Sequence, residues 1–238
     1  MKQRGIQINK AMIATILVLA WPTMLEQLLQ TAVQYIDTAM VGSLGTQATA
    51  AVGATTTVNW LIGSTISALG VGFLSFIAQA YGAKDREAAS KAVMQAVIVT
   101  VVCGAFFTAL TLGLSGVIPA WMQVDESIRR LSGQYFFILY LPMLPRTATI
   151  IFGTVLRAAG DTKSPMRIGI GVNIINVVLN FFLIYPTRTI GEYTVPGAGM
   201  GVIGAAIASA VAFAVGGIAI TVVLWRHPMV SPRGQKFR

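Results

Sequence analysis

The chain of 238 residues is strongly apolar: 55% of its residues are hydrophobic, 11% are charged, and the mean hydropathy is +0.73. Soluble domains carry about 25% charged residues, so this composition excludes an ordinary water-soluble globule. The 17 Lys and Arg outnumber the eight Asp and Glu and give a net charge of +9. These bases lie in short clusters without a basic face interleaved with aromatic residues, which argues against nucleic-acid binding. The class that remains is an integral membrane protein.

Six apolar segments are long enough to cross a bilayer as helices, which requires roughly 20 residues each. Their continuous apolar runs favour helices over a β-barrel, whose strands alternate in polarity. The predicted fold class is therefore an all-α polytopic membrane protein with six transmembrane helices. The predicted spans cover residues 11–39, 48–80, 92–118, 131–155, 166–185 and 201–224.

The distribution of Lys and Arg predicts the orientation, because short basic loops stay on the cytoplasmic side of a membrane. Most of the bases lie before residue 11, near residues 84–91, near residues 157–167 and after residue 225. Both termini are therefore expected in the cytoplasm, as an even number of spans requires. The first span is expected to be an uncleaved signal anchor, since no small-residue cleavage site closely follows it.

Prolines and glycines inside the spans predict bent and closely packed helices. Pro22 lies in the first span, and Pro142 and Pro145 lie in the fourth; each proline removes a backbone hydrogen bond and permits a kink. The glycines of the second span, at positions 63, 70 and 72, predict the close approach of a neighbouring helix.

Two acidic residues lie within predicted spans, Glu26 and Asp37 of the first helix. A charge at bilayer depth is costly unless it faces protein or water, and it therefore indicates a functional site. At about 100° per residue, the polar side chains of this helix form one stripe within an arc of roughly 80°. The stripe consists of Thr23, Glu26, Gln30, Gln34 and Asp37, and it predicts a hydrated cavity.

The fifth helix carries a second polar face. Asn173, Asn176 and Asn180 fall within roughly 60° of arc. A single amide often only links neighbouring helices through a hydrogen bond, but three amides opposite an acidic stripe favour a cavity. Ser209 of the sixth helix is expected to line the same cavity.

Arg146 is the remaining charge deep inside a predicted span, since Arg167 lies at the cytoplasmic end of the fifth span. Counted from Arg157 at the cytoplasmic edge, Arg146 lies about 16 Å deep, and Glu26 lies about 22 Å deep on the first helix. Two interpretations stay open: the guanidinium forms an intramembrane ion pair with Glu26, or it extends toward the cytoplasmic interface. In the first case Glu26 is structural, and Asp37 is the acid that changes its protonation state.

Enzymatic chemistry has little support in the sequence. The one His and the one Cys provide no cluster of metal ligands and no nucleophile with a neighbouring base. Glu26 and Asp37 are separated by about 16 Å along a helix, which is too far for an acid pair at one reaction centre. We therefore expect no enzyme activity, no metal site and no organic cofactor.

Four stretches of the chain resemble the multidrug and toxic compound extrusion (MATE) family. They are LAWPTMLEQLLQTAVQYIDTAMVGSLGTQATAAVG, AQAYGAKDREAA, LRAAGDTKSPMRIGIGVNIINVVLNFFLI and VPGAGMGVIGAAIAS, which are distributed from residue 19 to residue 209. The resemblance implies two six-helix lobes around a central cavity, which export cationic or amphipathic organic compounds in exchange for H⁺ or Na⁺.

The part of the family that the chain resembles is the N-terminal lobe. The resemblance implies a six-helix transmembrane lobe over residues 1–225 and a basic cytoplasmic tail over residues 226–238. This tail resembles the linker to a second lobe, so a half-length fragment is expected, with a C-terminal six-helix lobe missing. The expected partners are the lipid bilayer and small organic cations, and the expected location is a bacterial-type inner membrane.

The resemblance also implies roles for individual residues. Asp37 matches the acid to which cation coupling is assigned in the family, and Asn176 and Asn180 match a polar pair on the fifth helix. Ser209 matches a hydroxyl position on the sixth helix. Some members carry a second carboxylate at the position of Asn180, so whether H⁺ or Na⁺ is the coupling ion stays open.

Two other functions are compatible with the sequence. A lipid-linked oligosaccharide flippase of the same superfamily would share the helices and kinks, although it is expected to need more cationic cavity residues than Arg146 alone. A small homodimeric transporter or channel would make 238 residues a complete protein.

Overall fold

The computed structural model describes residues 10–190, 193–228 and 230–232. Within these residues the chain forms eight helices and one two-stranded sheet. In chain order they are α1 (Lys10–Gly42), α2 (Thr46–Gly82), α3 (Arg86–Leu114), α4 (Ile118–Trp121), α5 (Glu126–Tyr140), α6 (Met143–Ala158), α7 (Lys163–Ile184), β1 (Pro186–Ile190), β2 (Tyr193–Ala198) and α8 (Gly201–Arg226).

Five helices of the described chain, α1, α2, α3, α7 and α8, have the length and hydropathy of membrane spans. The pair α5 and α6, bent by 52° at the short break between them, makes a sixth span if the two helices cross the membrane as one segment. Pro142 is the N-cap of α6, so the break lies at a proline for which the sequence predicts a kink. The predicted fold class, an all-α polytopic membrane protein, is confirmed.

Two segments differ from the sequence-based prediction. Helix α3 begins before residue 92 because Asp85 caps it, accepting a hydrogen bond of 2.9 Å from the Ala88 amide. The segment after α7, predicted as a polar loop, forms an antiparallel hairpin of β1 and β2. Its Thr, Ile, Tyr and Val residues are typical of strands, and this signal is obscured by the apolar helices on either side.

Helix α6 lies at the centre of the lobe and packs against α2, α3 and α8. Glycines of α8 permit close approaches of two neighbouring helices: a Cβ atom at Gly217 would overlap the backbone of Pro145, and one at Gly204 would lie 2.5 Å from the Leu183 carbonyl oxygen. In α2, by contrast, no described atom beyond the adjoining residues and the local helix backbone lies within 4 Å of a Cβ at Gly63 or Gly72. The close approach predicted for those two glycines is therefore wrong.

The two ends of the chain, which belong to the predicted lobe and the predicted tail, lie partly outside the described residues. The parts outside are residues 1–9, with the first basic cluster, and residues 229 and 233–238 of the predicted tail. The described part of that tail folds against the lobe: Val230 is buried, and the Ser90 hydroxyl donates to the Ser231 carbonyl oxygen at 3.2 Å.

The position of α1 determines where its polar stripe lies. Helix α1 continues through Pro22 without a break and packs mainly against α7, and most of its side chains are exposed in the described chain. This pairing sets the polar stripe of α1 opposite the asparagines of α7.

Candidate functional site

Asp37 and Asn180 form the centre of the site. The Asn180 amide nitrogen on α7 donates to the Asp37 carboxylate on α1 over 2.6 Å. Asn180 is only 1% exposed, and Asp37 is partly buried. A hydrogen bond to a carboxylate is charge-assisted and stronger than one between neutral groups, so this contact joins the two helices at a chemically specific point.

The network continues from α7 to α8. Asn180 Nδ2 also donates to Asn176 Oδ1 at 3.2 Å, and Asn176 Nδ2 lies 3.0 Å from the Ser209 hydroxyl. A second orientation of the Asn176 amide places its nitrogen 2.9 and 3.0 Å from the two Asp37 oxygens, with its oxygen accepting from Ser209. The structure thus brings together Asp37, Asn176, Asn180 and Ser209, which the sequence places far apart.

The second orientation suits an ionised Asp37, because an ionised carboxylate is an acceptor only and the Asn176 nitrogen then faces it. The amide groups of both Asn176 and Asn180 then donate to the Asp37 carboxylate.

An unused acceptor lies within this network. Asn180 Oδ1 is buried and has no hydrogen-bond partner among the described residues. Carboxylate, amide and hydroxyl oxygens are ligands suited to hard cations. Together with the Asp37 carboxylate, this oxygen makes the cluster chemically able to hold a proton or a small cation.

The cluster lines a cavity of about 280 Å³ between α1, α2, α5, α6, α7 and α8. Gln30, Gln34 and Asn173 also line this cavity, whereas Glu26 is not among its lining residues. The polar residues around it are Gln30, Gln34, Asp37, Thr38, Thr55, Thr56, Asn59, Asn173, Asn176, Asn180 and Ser209, and Arg146 supplies one cation.

The ion pair between Glu26 and Arg146, one of the two interpretations left open by the sequence, is wrong. The partner of Glu26 is Arg157, whose Nη2 lies 3.3 Å from both carboxylate oxygens. Gly169 of α7 allows this contact, because a Cβ there would lie 3.3 Å from the Glu26 side chain. Depth counting along the helices missed it, since the long Arg157 side chain reaches inward from the last turn of α6.

Arg146 is held by α2 and by aromatic rings. Its Nη2 donates to Asn59 Oδ1 at 2.7 Å, and its guanidinium carbon lies 5.5 Å from the Tyr140 ring centre and 4.7 Å from that of Phe213. Its hydrogen-bond partner is therefore Asn59 and not Glu26. The sequence analysis missed Asn59, although an Asn inside an apolar span is a recognisable signal.

Comparison with known proteins gives a consistent result. The MatE family model matches residues 22–182. The probable multidrug resistance protein NorM of Thermotoga maritima is 29% identical over 209 residues, which cover 88% of this chain and 44% of that protein. A protein of the same name from Bacillus thuringiensis subsp. konkukian is 30% identical over 198 residues, covering 82% and 42%. The chain thus spans less than half the length of these curated relatives.

Solved structures agree in fold. The structure of a MATE protein in complex with MaD3S has a TM-score of 0.84 and 26% identity, covering 94% of this chain and 48% of that chain. An outward-facing MATE family transporter of the MOP superfamily has a TM-score of 0.79 and 27% identity, covering 89% and 45%. The chain belongs to the MATE family and has the fold of its N-terminal six-helix lobe.

Proposed function

We propose that this lobe carries the ion-coupling site of a secondary antiporter that exports cationic or amphipathic compounds in exchange for H⁺ or Na⁺. The observation that carries this proposal is the buried contact of 2.6 Å between Asn180 and Asp37 at the polar cavity. The names of the relatives, which are probable multidrug resistance proteins, support the choice of substrates.

Exchange follows from competition for one negative charge. When the Asp37 carboxylate is ionised, it attracts a cationic compound into the cavity; when it holds a proton or Na⁺, that attraction is lost. Ion binding also changes the hydrogen bonds that join α1 to α7 and α8, and so favours one arrangement of these helices over another. Entry of the ion therefore releases the compound, and entry of the compound releases the ion.

A second six-helix lobe is part of the proposal. Polar side chains of α1 such as Gln30 and Gln34 are exposed in the described chain, and at bilayer depth such groups require water or protein next to them. A facing lobe would enclose the cavity and allow alternating access by movement of one bundle against the other. In this arrangement the protein lies in the bacterial inner membrane with the basic loops in the cytoplasm.

The test measures ethidium efflux in vesicles that contain the complete transporter, with pH and Na⁺ gradients imposed separately. Asp37→Asn is expected to abolish gradient-driven efflux under both gradients, because the amide neither titrates nor carries a charge. Glu126→Gln is the matched control, since this carboxylate is 90% exposed and lies outside the cavity. Undiminished efflux by Asp37→Asn would contradict the proposal.

A lipid-linked oligosaccharide flippase is the second candidate, favoured by one observation: Arg146 supplies a cation to the cavity lining, as binding of phosphate groups requires. The same vesicles distinguish the two functions when loaded with a fluorescent lipid pyrophosphate. Translocation of this lipid that persists without ion gradients, together with absence of ethidium efflux, would favour the flippase.

A further inference from the structure

Arg146 brings an incompletely bonded cation to the wall of the cavity. Its Nη2 donates to Asn59 Oδ1 at 2.7 Å, but its Nη1 is buried and has no hydrogen-bond partner among the described residues. Within the same part of the chain, ion pairs join Lys91 to Glu87, Arg129 to Glu126 and Arg157 to Glu26, and none of these three includes Arg146. The positive charge of Arg146 is therefore not neutralised by a carboxylate in contact with it.

Asn59 adds a second donor at the same place. Its Oδ1 accepts from both Arg146 Nη2 and the Tyr140 hydroxyl, the latter at 3.0 Å. These two donors determine the orientation of the amide, because its nitrogen must then lie on the other side. Among the described residues that nitrogen donates no hydrogen bond, so both Arg146 and Asn59 have N–H groups left for a ligand.

A site made of donors and one guanidinium recognises an oxyanion. Arg binds planar carboxylates through paired hydrogen bonds, and the flanking rings of Tyr140 and Phe213 keep water from surrounding the charge. The Asp37 carboxylate, which attracts cations, lines the same cavity. The cavity therefore has one position for a negative group and another for a positive group.

We propose that Arg146 and Asn59 form an oxyanion subsite, through which the cavity selects amphipathic zwitterions whose carboxylate contacts Arg146 and whose cationic group faces Asp37. The inference rests on the proposed function and specifies its substrate class. It assigns Arg146 to ligand recognition, where the sequence analysis considered only an ion pair or an extension toward the interface.

The test compares two fluorescent probes that differ in one group. Rhodamine 110 is a zwitterion with a free carboxylate, and rhodamine 123 is its methyl ester and therefore a cation. Fluorescence anisotropy gives the Kd of each probe for the 238-residue chain in maltoside micelles without added lipid. Rhodamine 110 is expected to bind about tenfold more tightly than rhodamine 123. A Kd ratio of one or below would overturn the proposal.

Three variants connect the preference to the subsite. Arg146→Gln is expected to bring the two Kd values within about twofold of each other, because the charged partner of the carboxylate is lost. Asn59→Asp is also expected to bring the two Kd values within about twofold of each other, although Arg146 is kept. The new carboxylate forms an ion pair with the Arg146 guanidinium and so competes with the carboxylate of the probe. Arg130→Gln is the control, since it removes an equal charge from an exposed residue outside this cavity. An unchanged ratio of the two Kd values in Arg146→Gln would overturn the proposal. If Arg146→Gln does not fold, an unchanged Kd ratio in Asn59→Asp would overturn it instead.

Lipid provides an alternative source of the oxyanion, and the same assay distinguishes it. Displacement of rhodamine 110 from the unmodified chain by phosphatidylethanolamine, but not by excess maltoside, would assign the subsite to a lipid headgroup and overturn the proposal for soluble zwitterions. The outcome for rhodamine 123 addresses the proposed function separately. If Asp37→Asn leaves its binding unchanged, the cation position is wrong whatever the result at Arg146.

Discussion

Arg157 of α6 reaches across the inner part of the lobe and places its Nη2 3.3 Å from both oxygens of Glu26 on α1. The two side chains are 26% and 18% exposed, so water screens the pair only in part. Helix α1 otherwise packs mainly against α7, and this ion pair is its specific link to α6.

Removing one member of this pair is expected to destabilise the lobe. Glu26→Gln leaves the Arg157 charge without its partner, and such a change costs about 2 kcal/mol in a partly buried site. Thermal unfolding in detergent, followed by loss of a monodisperse species, measures the effect. Asp37→Asn is the comparison, because an amide keeps the polar contacts at position 37, and its yield is expected to stay close to that of the unmodified chain. Equal expression of Glu26→Gln and Asp37→Asn would contradict the assignment of Glu26 as the structural acid and Asp37 as the titrating acid.

The Asn180 amide is expected to matter more for ion binding than another amide of the same helix. Asn180→Ala removes the donor to Asp37 and the orphan Oδ1, and we expect the affinity of the coupling ion to fall about tenfold, as for loss of one charge-assisted contact. Binding of ²²Na⁺ to the purified chain, and its displacement by protons, measures this. Asn173→Ala is the matched control, since Asn173 lines the cavity without a hydrogen bond to Asp37, and its affinity is expected to change less than twofold. Equal effects of the two substitutions would refute a special role for Asn180.

The packing of α8 on α6 is expected to depend on Gly217. A methyl group there overlaps the Pro145 backbone, so Gly217→Ala must separate two helices at the centre of the lobe, at a cost of about 1–3 kcal/mol. The melting temperature in detergent measures this change. Gly63→Ala introduces the same methyl group where no described residue of another helix lies within 4 Å, and it is expected to be neutral or slightly stabilising because Ala favours helix. A lower melting temperature for Gly63→Ala than for Gly217→Ala would contradict the close packing of α8 on α6 at Gly217.

His227 follows the end of α8 and makes stability depend on pH. Burial lowers its pKa below the usual 6.5, although the charge of Asp161 opposes this shift. The folded chain therefore holds the His227 proton less readily than the unfolded chain, so stability is full above pH 6.5 and falls as the pH drops below it. The Val230 amide donates to His227 Nδ1 at 3.4 Å, and protonation of that nitrogen removes the bond.

The test uses melting temperatures between about pH 5 and pH 7.5. We expect the melting temperature to decrease less on acidification in His227→Gln than in the unmodified chain. His227 is the one histidine of the sequence, so few other groups titrate in this pH range. Parallel curves for the two proteins would argue against a contribution from His227.

Much of this protein follows from its sequence alone. Length and hydropathy determined the six spans, because a bilayer accepts only segments of sufficient apolar length whose backbone groups are bonded internally. The 3.6-residue period placed Asp37 on one stripe of α1 and Asn176 and Asn180 on one face of α7. The hairpin after α7 escaped prediction, because its strand signals are short and lie between long apolar helices.

The tertiary structure decided which polar groups meet. Depth along the sequence suggested Arg146 as a partner of Glu26, but long side chains reach several ångströms from their helices. In the folded lobe Arg157 lies beside Glu26 and Arg146 lies beside Asn59. Glycine positions in the sequence likewise did not identify the closest approach, which depends on the neighbour that each glycine faces. Periodicity determines the face of a single helix, but the contacts between faces depend on how all the helices pack together.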